Sequence, residues 1–290
     1  MEGLRADDAA ASLLSSDTKD DLTGLDNLGV EAPSSAADDD IGLQLILRKH
    51  EKSRHFRATA HTSGFWTSNA ANVNAGAVED YFMVGGVNLA WQQRLKGRFI
   101  GDVQAGLSSF RYDKLDILNY EYWEGTAGLI IQMPELWDTL LYVQYGYQRI
   151  TQDLDSDALY ESHSARLGAY RAFTINRLNS IHVSLQSQLS FAAEPEFLQR
   201  HEHWAQLGYS LRLSRTLALL TTYRTVFYDY FNFEGRQDWY HNAGVALNWR
   251  PKEWLEMSAG YNFTFNSSNV DVFDYETHLA GPSIALRVRF

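Results

Sequence analysis

From Phe56 to Phe290 the chain repeats one unit, a stretch in which apolar and polar residues alternate, followed by a break. Leu255, Met257, Ala259, Tyr261, Phe263 and Phe265 alternate with Glu256, Ser258, Gly260, Asn262 and Thr264. Leu141, Val143, Tyr145 and Tyr147 alternate with Tyr142, Gln144, Gly146 and Gln148, and Ile181, Val183, Leu185, Leu189 and Phe191 with His182, Ser184, Gln186, Gln188 and Ser190. Successive side chains of a strand point to opposite faces, so this period of two predicts strands with one apolar and one polar face. About twelve are predicted, near 56–66, 80–92, 97–111, 119–133, 137–150, 160–173, 179–192, 203–213, 215–229, 237–249, 254–266 and 277–290. These are the lengths of tilted strands that cross a bilayer, roughly 9–11 residues or a little more.

The breaks alternate too. Tight turns are predicted at 94–97, 133–136, 176–179, 214–215 and 250–253, and long polar loops near 67–79, 112–118, 151–159, 193–202, 230–236 and 267–276. A soluble sandwich has no reason to keep a short–long order through five cycles, whereas membrane barrels put short turns at the periplasmic end and longer loops outside. The final strand adds a second signal. Ile284, Leu286, Val288 and Phe290 share one face, and Ala285, Arg287 and Arg289 the other. A terminal strand that ends in Phe resembles the insertion signal of bacterial outer-membrane β-barrels.

The resemblance spans residues from about 56 to 290 and points to no particular named family. It implies an all-β fold, a single antiparallel up-and-down transmembrane β-barrel in the outer membrane of a Gram-negative bacterium. It also implies that Ile284, Leu286, Val288 and Phe290 are read by the barrel-assembly machinery, and that lipid and lipopolysaccharide surround the molecule. Alternation alone does not say which face is inside. Long strands favour apolar-out, as do the aromatics near strand ends: Trp66, Tyr81, Trp91, Trp123, Trp137, Phe173, Phe191, Trp239, Trp249 and Trp254. The apolar face reads as almost free of charge. The other face, assigned to the lumen, carries Asp102, Gln104, Glu124, Gln132, Gln144, Gln148, Arg166, Gln186, Gln188, Arg212, Arg224, Asn242, Asn248, Glu256, Asn262, Arg287 and Arg289.

Composition sharpens the picture in two places. With no Cys there is no disulfide framework or thiolate metal site. Mean hydropathy is −0.33 and no apolar run is long enough for a membrane helix, which leaves a barrel untouched because its strands are only half apolar. The net charge of −11 belongs mostly to residues 1–40. There Glu2, Asp7, Asp8, Asp17, Asp20, Asp21, Asp26, Glu31, Asp38, Asp39 and Asp40 face only Arg5 and Lys19, without one aromatic. Such a segment buries too little surface to offset its ordering entropy and reads as a disordered acidic leader. Residues 41–55 read as an extra strand, a short periplasmic helix or a plug, and 56–290 as the barrel. Met1-Glu-Gly-Leu-Arg is followed by acids rather than an apolar core, so the chain reads as a mature form or one with a misplaced start.

Candidate chemistry is sparse. His182 and Ser184 share a strand face and loosely resemble part of the His, Ser and Asn set of the outer-membrane phospholipase, although both belong to the lumen face rather than the lipid face. Ser162-His163-Ser164 is weaker, because strand neighbours point apart. His201 and His203 are two imidazoles without a third ligand at a readable spacing. Asp153-Leu-Asp155-Ser-Asp157 starts like a calcium loop, but Ala158 stands where the sharp turn needs Gly and Ser164 where a Glu is needed. No phosphate loop or dinucleotide fingerprint is present, and the near-neutral barrel gives no footprint for nucleic acid. No cofactor or metal is expected. The reading is a porin-like passive channel for small polar solutes through an amide-rich lumen. Its alternatives are a lipid-acting hydrolase and a structural or adhesive barrel acting through its loops.

Overall fold

The computed structural model describes residues 55–154 and 156–290. The acidic leader and nearly all of segment 41–55 lie outside the described residues. Twelve strands follow one another: β1 Phe56–Thr67, β2 Asp80–Lys96, β3 Phe99–Tyr112, β4 Tyr120–Met133, β5 Thr139–Thr151 and β6 Ala158–Thr174, then β7 Asn179–Glu194, β8 Arg200–Arg212, β9 Leu217–Tyr230, β10 Gln237–Lys252, β11 Leu255–Ser268 and β12 Tyr275–Arg289. Each pairs antiparallel with its neighbours in sequence, and β12 returns to β1, so the sheet is a closed barrel. Closure satisfies every strand edge within the ring, the condition for strands that cross a bilayer.

Turns and loops keep the alternating order, with a smaller contrast than the sequence suggests. The turn side has 97–98, 134–138, 175–178, 213–216 and 253–254; the loop side has 68–79, 113–119, 152–157, 195–199, 231–236 and 269–274. The strands simply extend into what read as loop, because their polar ends still pair. At the tightest turn, Gly97 has φ +60, where a side chain would strain the backbone.

The closing seam is irregular. Register runs from Arg57↔Arg289 to Ser63↔Ser283, skips two positions, and resumes at Trp66↔Ala280. Pro282 lies in the gap, and the pairing of β12 with β11 runs through it, at Ala259↔Pro282. A proline has no N–H to give a ladder. Gly281 beside it is tight: a Cβ there would stand 2.0 Å from the carbonyl oxygen of Gly64.

The outer face holds Val87, Leu89, Val103, Leu129, Val143, Leu167, Leu185, Leu207, Val245, Leu247, Ile284 and Leu286, all exposed. Aromatics rim this band, with Phe56, Trp91, Trp137, Phe173, Trp249, Trp254 and Phe290 toward the turns and Tyr81, Phe191, Phe227, Trp239 and Phe265 toward the loops. It is not charge-free. Arg111 pairs with Glu121 near the loop side, where Ser109 also donates to Glu121 at 3.2 Å. Arg171 near the turns lies 4.9 Å from the Trp137 ring centroid and 4.1 Å from that of Phe173. Arg149 and Glu161 are register partners on the same face near the loops, and these charged sites all lie toward the strand ends, where headgroups rather than hydrocarbon would meet them.

Candidate functional site

The inward face is recognisable from hydrogen bonds that skip a strand, since side chains two strands apart converge only on the concave side. Gln144 Nε2 on β5 donates to Asp102 Oδ2 on β3 at 2.7 Å. Arg166 on β6 reaches Glu124 on β4 at 2.8 Å, Arg94 on β2 reaches Gln132 on β4 at 3.1 Å, and Tyr142 on β5 donates to Gln186 on β7 at 2.9 Å. Parity along each strand then places Asp102, Gln104, Glu124, Gln132, Gln144, Gln148, Arg166, Gln186, Gln188, Arg212, Arg224, Asn242, Asn248, Glu256, Asn262, Arg287 and Arg289 on that one face.

Most of the amides are committed to the wall. Asp102 is fully buried and accepts from Gln92 at 2.7 Å, from Gln144, and from Gln104 at 3.2 Å, so three amides satisfy a carboxylate without a cation. Gln148 donates to Tyr122 at 2.9 Å, Asn242 to Thr264 at 2.8 Å, and Asn248 to Glu256 at 2.5 Å. What the wall offers instead is charge. Glu124, four residues into β4 from its loop-side end, keeps 39% of its side chain exposed, so the interior beside it is not filled by side chains.

Sequence reasoning missed part of this charge. Arg57, Arg94, Arg200 and Arg250 also face inward, as do Asp80, Glu202 and Asp238. Arg200 pairs with Glu202 at 2.8 Å and lies 4.6 Å from the Tyr228 ring centroid. Arg236, from the loop after β9, pairs with Asp238 at 2.8 Å and lies 3.2 Å from the Phe273 ring centroid. Arg250 binds Glu256 at 2.5 Å, with Arg287 at 3.8 Å from the same carboxylate. Arg94, Arg200, Glu202 and Arg250 were missed because they lay in stretches read as turn or loop, into which the strands extend.

Neither end of the interior is uniformly polar. Toward the loops, Phe65, Phe82, Val84, Phe110, Tyr112, Tyr120, Ile150 and Tyr160 form an apolar cluster, capped by Leu198 and Ala70 from the loops with Leu115 and Leu118 against it. Val226, Tyr228, Tyr230 and Tyr240 make a second cluster. Toward the turns, Ile100, Ile130, Leu140 and Tyr170 line one wall. These inward apolar residues are invisible to a rule that sends apolar side chains outward, because the ring narrows its own lumen with them.

The remaining candidates separate cleanly. His182 and Ser184 both face inward, His182 lying over Gly208 with its ring 6.4 Å from Tyr170. Ser162 and Ser164 are buried inside, while His163 points outward to the Tyr145 hydroxyl at 2.5 Å. His201 and His203 lie on β8 facing outward, and His203 Nδ1 is 2.8 Å from Ser187 Oγ. Among the described residues no group of three metal-ligating side chains gathers. Asp153 and Asp157 flank residue 155, which lies outside the described residues. Ile284, Leu286, Val288 and Phe290 are exposed on the outer face, and Phe290 stacks on Phe56 with centroids 5.7 Å apart.

No protein-family model matches the chain. No curated protein matches it either. Among solved structures, an outer membrane channel from Pseudomonas putida F1 superposes with TM-score 0.60 at 10% identity, covering 82% of this chain and 97% of that one. The fold is that of an outer-membrane β-barrel. Two others lie further off in shape. The NanC porin has TM-score 0.45 and 7% identity over 78% of this chain and 98% of that one. Outer membrane phospholipase A from Escherichia coli has TM-score 0.46 and 12% identity over 79% and 89%.

Proposed function

We propose that the chain is a porin-like passive channel of the bacterial outer membrane, carrying small polar solutes through its interior. One observation carries the reading: a closed ring whose outer face is apolar between aromatic rims encloses ion pairs and amides, with the Glu124 carboxylate partly exposed inside it. The Pseudomonas putida neighbour is described as an outer membrane channel, which agrees with this. The hydrolase alternative loses its candidate pair to the interior, since His182 and Ser184 face away from lipid. Loop-side connections of 12 residues or fewer give an adhesive role little surface. The test is reconstitution of the full chain into planar bilayers. Discrete conductance steps are expected, and folded, heat-modifiable protein that never conducts would sink the reading.

A further inference from the structure

On the outer wall, residues of five successive strands are register partners in one row: Leu167, Ser187, His203, Phe227 and Trp239. The next outward row toward the turns holds Ala169, Leu185, Ala205 and Thr225. Ala169, Ser187, Ala205 and Thr225 are small beside Leu167, Leu185, Phe227 and Trp239, and the wall is hollow there. The two rows line a groove of about 730 Å³, within the roughly 300–1,000 Å³ of small-ligand sites. Strands of a closed barrel tilt, so a row of register partners runs obliquely around it. Trp239 is the third residue from the loop-side end of β10, and Leu167 the tenth from that of β6. The groove therefore starts at the loop-side aromatic rim and descends to the middle of the wall.

We propose that this groove binds one lipopolysaccharide molecule, with an acyl chain lying along it and the head group at the rim beside Trp239. The setting selects the occupant. The groove is a hollow in the apolar outer band itself, continuous with the surface that meets hydrocarbon, and its lining is mostly apolar. A chain that fills it gains the close contacts an empty hollow forfeits. It opens on the loop side, the face that lipopolysaccharide coats. At the centre of the first row, Ser187 Oγ and His203 Nδ1 are 2.8 Å apart. A neutral imidazole and a hydroxyl carry two donors between them, and either tautomer spends only one on their mutual bond. The other is left for an ester or amide carbonyl at the root of the chain, where little water competes for it. The proposal rests on the outer-membrane placement and is independent of conductance.

The test uses the full chain refolded in detergent, titrated with purified lipopolysaccharide or with phosphatidylethanolamine, and native mass spectrometry to count the lipids each chain retains. Saturable retention of one lipopolysaccharide is expected, with phosphatidylethanolamine held about tenfold more weakly or worse. The double variant Ala169→Leu, Ala205→Leu fills the groove with apolar side chains and should weaken retention about tenfold. Its added methyl groups meet hydrocarbon or detergent, so its unfolding midpoint in urea should match the parent's, which separates loss of binding from loss of fold. Ala105→Leu, on the outer face of β3 away from the groove, should change nothing. His203→Phe keeps a ring, removes the donor, and should narrow the preference for lipopolysaccharide. Equal retention by the parent and the filled variant overturns the proposal, as does equal retention of the two lipids. A dimer that disappears in the filled variant would give the groove to a second copy of the chain and overturn it as well. Bilayer conductance, read separately, keeps the two readings apart: a parent that binds lipopolysaccharide without conducting refutes only the channel, and one that conducts without binding refutes only the groove.

Discussion

Tyr142 lies against the inward side of Gly168 and donates its hydroxyl to Gln186 beyond it, at 2.9 Å. The tyrosine of β5 thus crosses β6 at a residue without a side chain to reach β7. A Cβ at Gly168 would stand 2.1 Å from Tyr142 Cζ, so the ring must leave the wall if one is added. Gly168→Ala is expected to cost about 1–3 kcal/mol as an overpacking substitution and to push the ring into the lumen. Unfolding in urea and single-channel conductance measure the two effects. If conductance falls, Tyr142→Ala in the Gly168→Ala background should restore it.

Arg166 has only 9% of its side chain exposed and depends on Glu124 at 2.8 Å. Removing one partner of a buried pair leaves an uncompensated charge, at about 3–5 kcal/mol in a dry interior. Glu124 is partly hydrated, so Glu124→Ala should cost less, roughly 1–3 kcal/mol. Adding Arg166→Met should recover most of it, and a double-mutant cycle that finds no coupling would refute the pair's role.

Ala259 faces outward on β11 and Gln104 inward on β3 beside Asp102. Ala259→Arg should cost about 2–4 kcal/mol if that position meets the hydrocarbon midplane. Gln104→Arg gains a carboxylate partner and should be nearly neutral. Reversal of this order in refolding titrations would show that the barrel is turned inside out.

Phe290 is 63% exposed and stacks on Phe56, so it contributes little to the finished barrel by burial. Its deletion should leave refolding into micelles nearly normal while reducing insertion in living cells sharply. Equal impairment in both settings would make it a packing residue only.

Because the chain has no Cys, single cysteines report topology cleanly. Val272→Cys in a loop should react with an impermeant maleimide on whole cells, and Leu136→Cys in a turn should not. The opposite pattern would invert the orientation.

Strand number and the alternation of faces were legible because period two is a local property of each segment. Closure was not local. Arg57 and Arg289 lie at opposite ends of the barrel sequence, and only the ring makes them neighbours. The interior aromatics Tyr228 and Tyr240 were missed because a lumen crowds its own side chains together, burying even residues that share a face with polar ones. One missed pattern was readable. His163, His203, His241 and His278 stand near the starts of β6, β8, β10 and β12, facing outward. Three of them bind a tyrosine hydroxyl on the preceding strand, Tyr145, Tyr223 and Tyr261, at 2.5, 2.8 and 2.6 Å. The recurrence every second strand was the signal, hidden because each histidine was weighed alone as a catalyst or ligand.

Pro282 has a meaning that belongs to the time before the ring exists. Until β1 arrives, β12 is the free margin of an unfinished sheet, and a free margin of apolar strand invites pairing with another copy of the chain. A missing N–H in its middle spoils that margin as a template for a stranger, since an arriving strand meets an interruption where it needs a bond. The native partner tolerates the same interruption because β1 and β12 simply skip two positions there, with Gly64 and Gly281 pressed together beside the gap. The scar in the finished seam is thus an interruption that the chain's own first strand is shaped to accommodate.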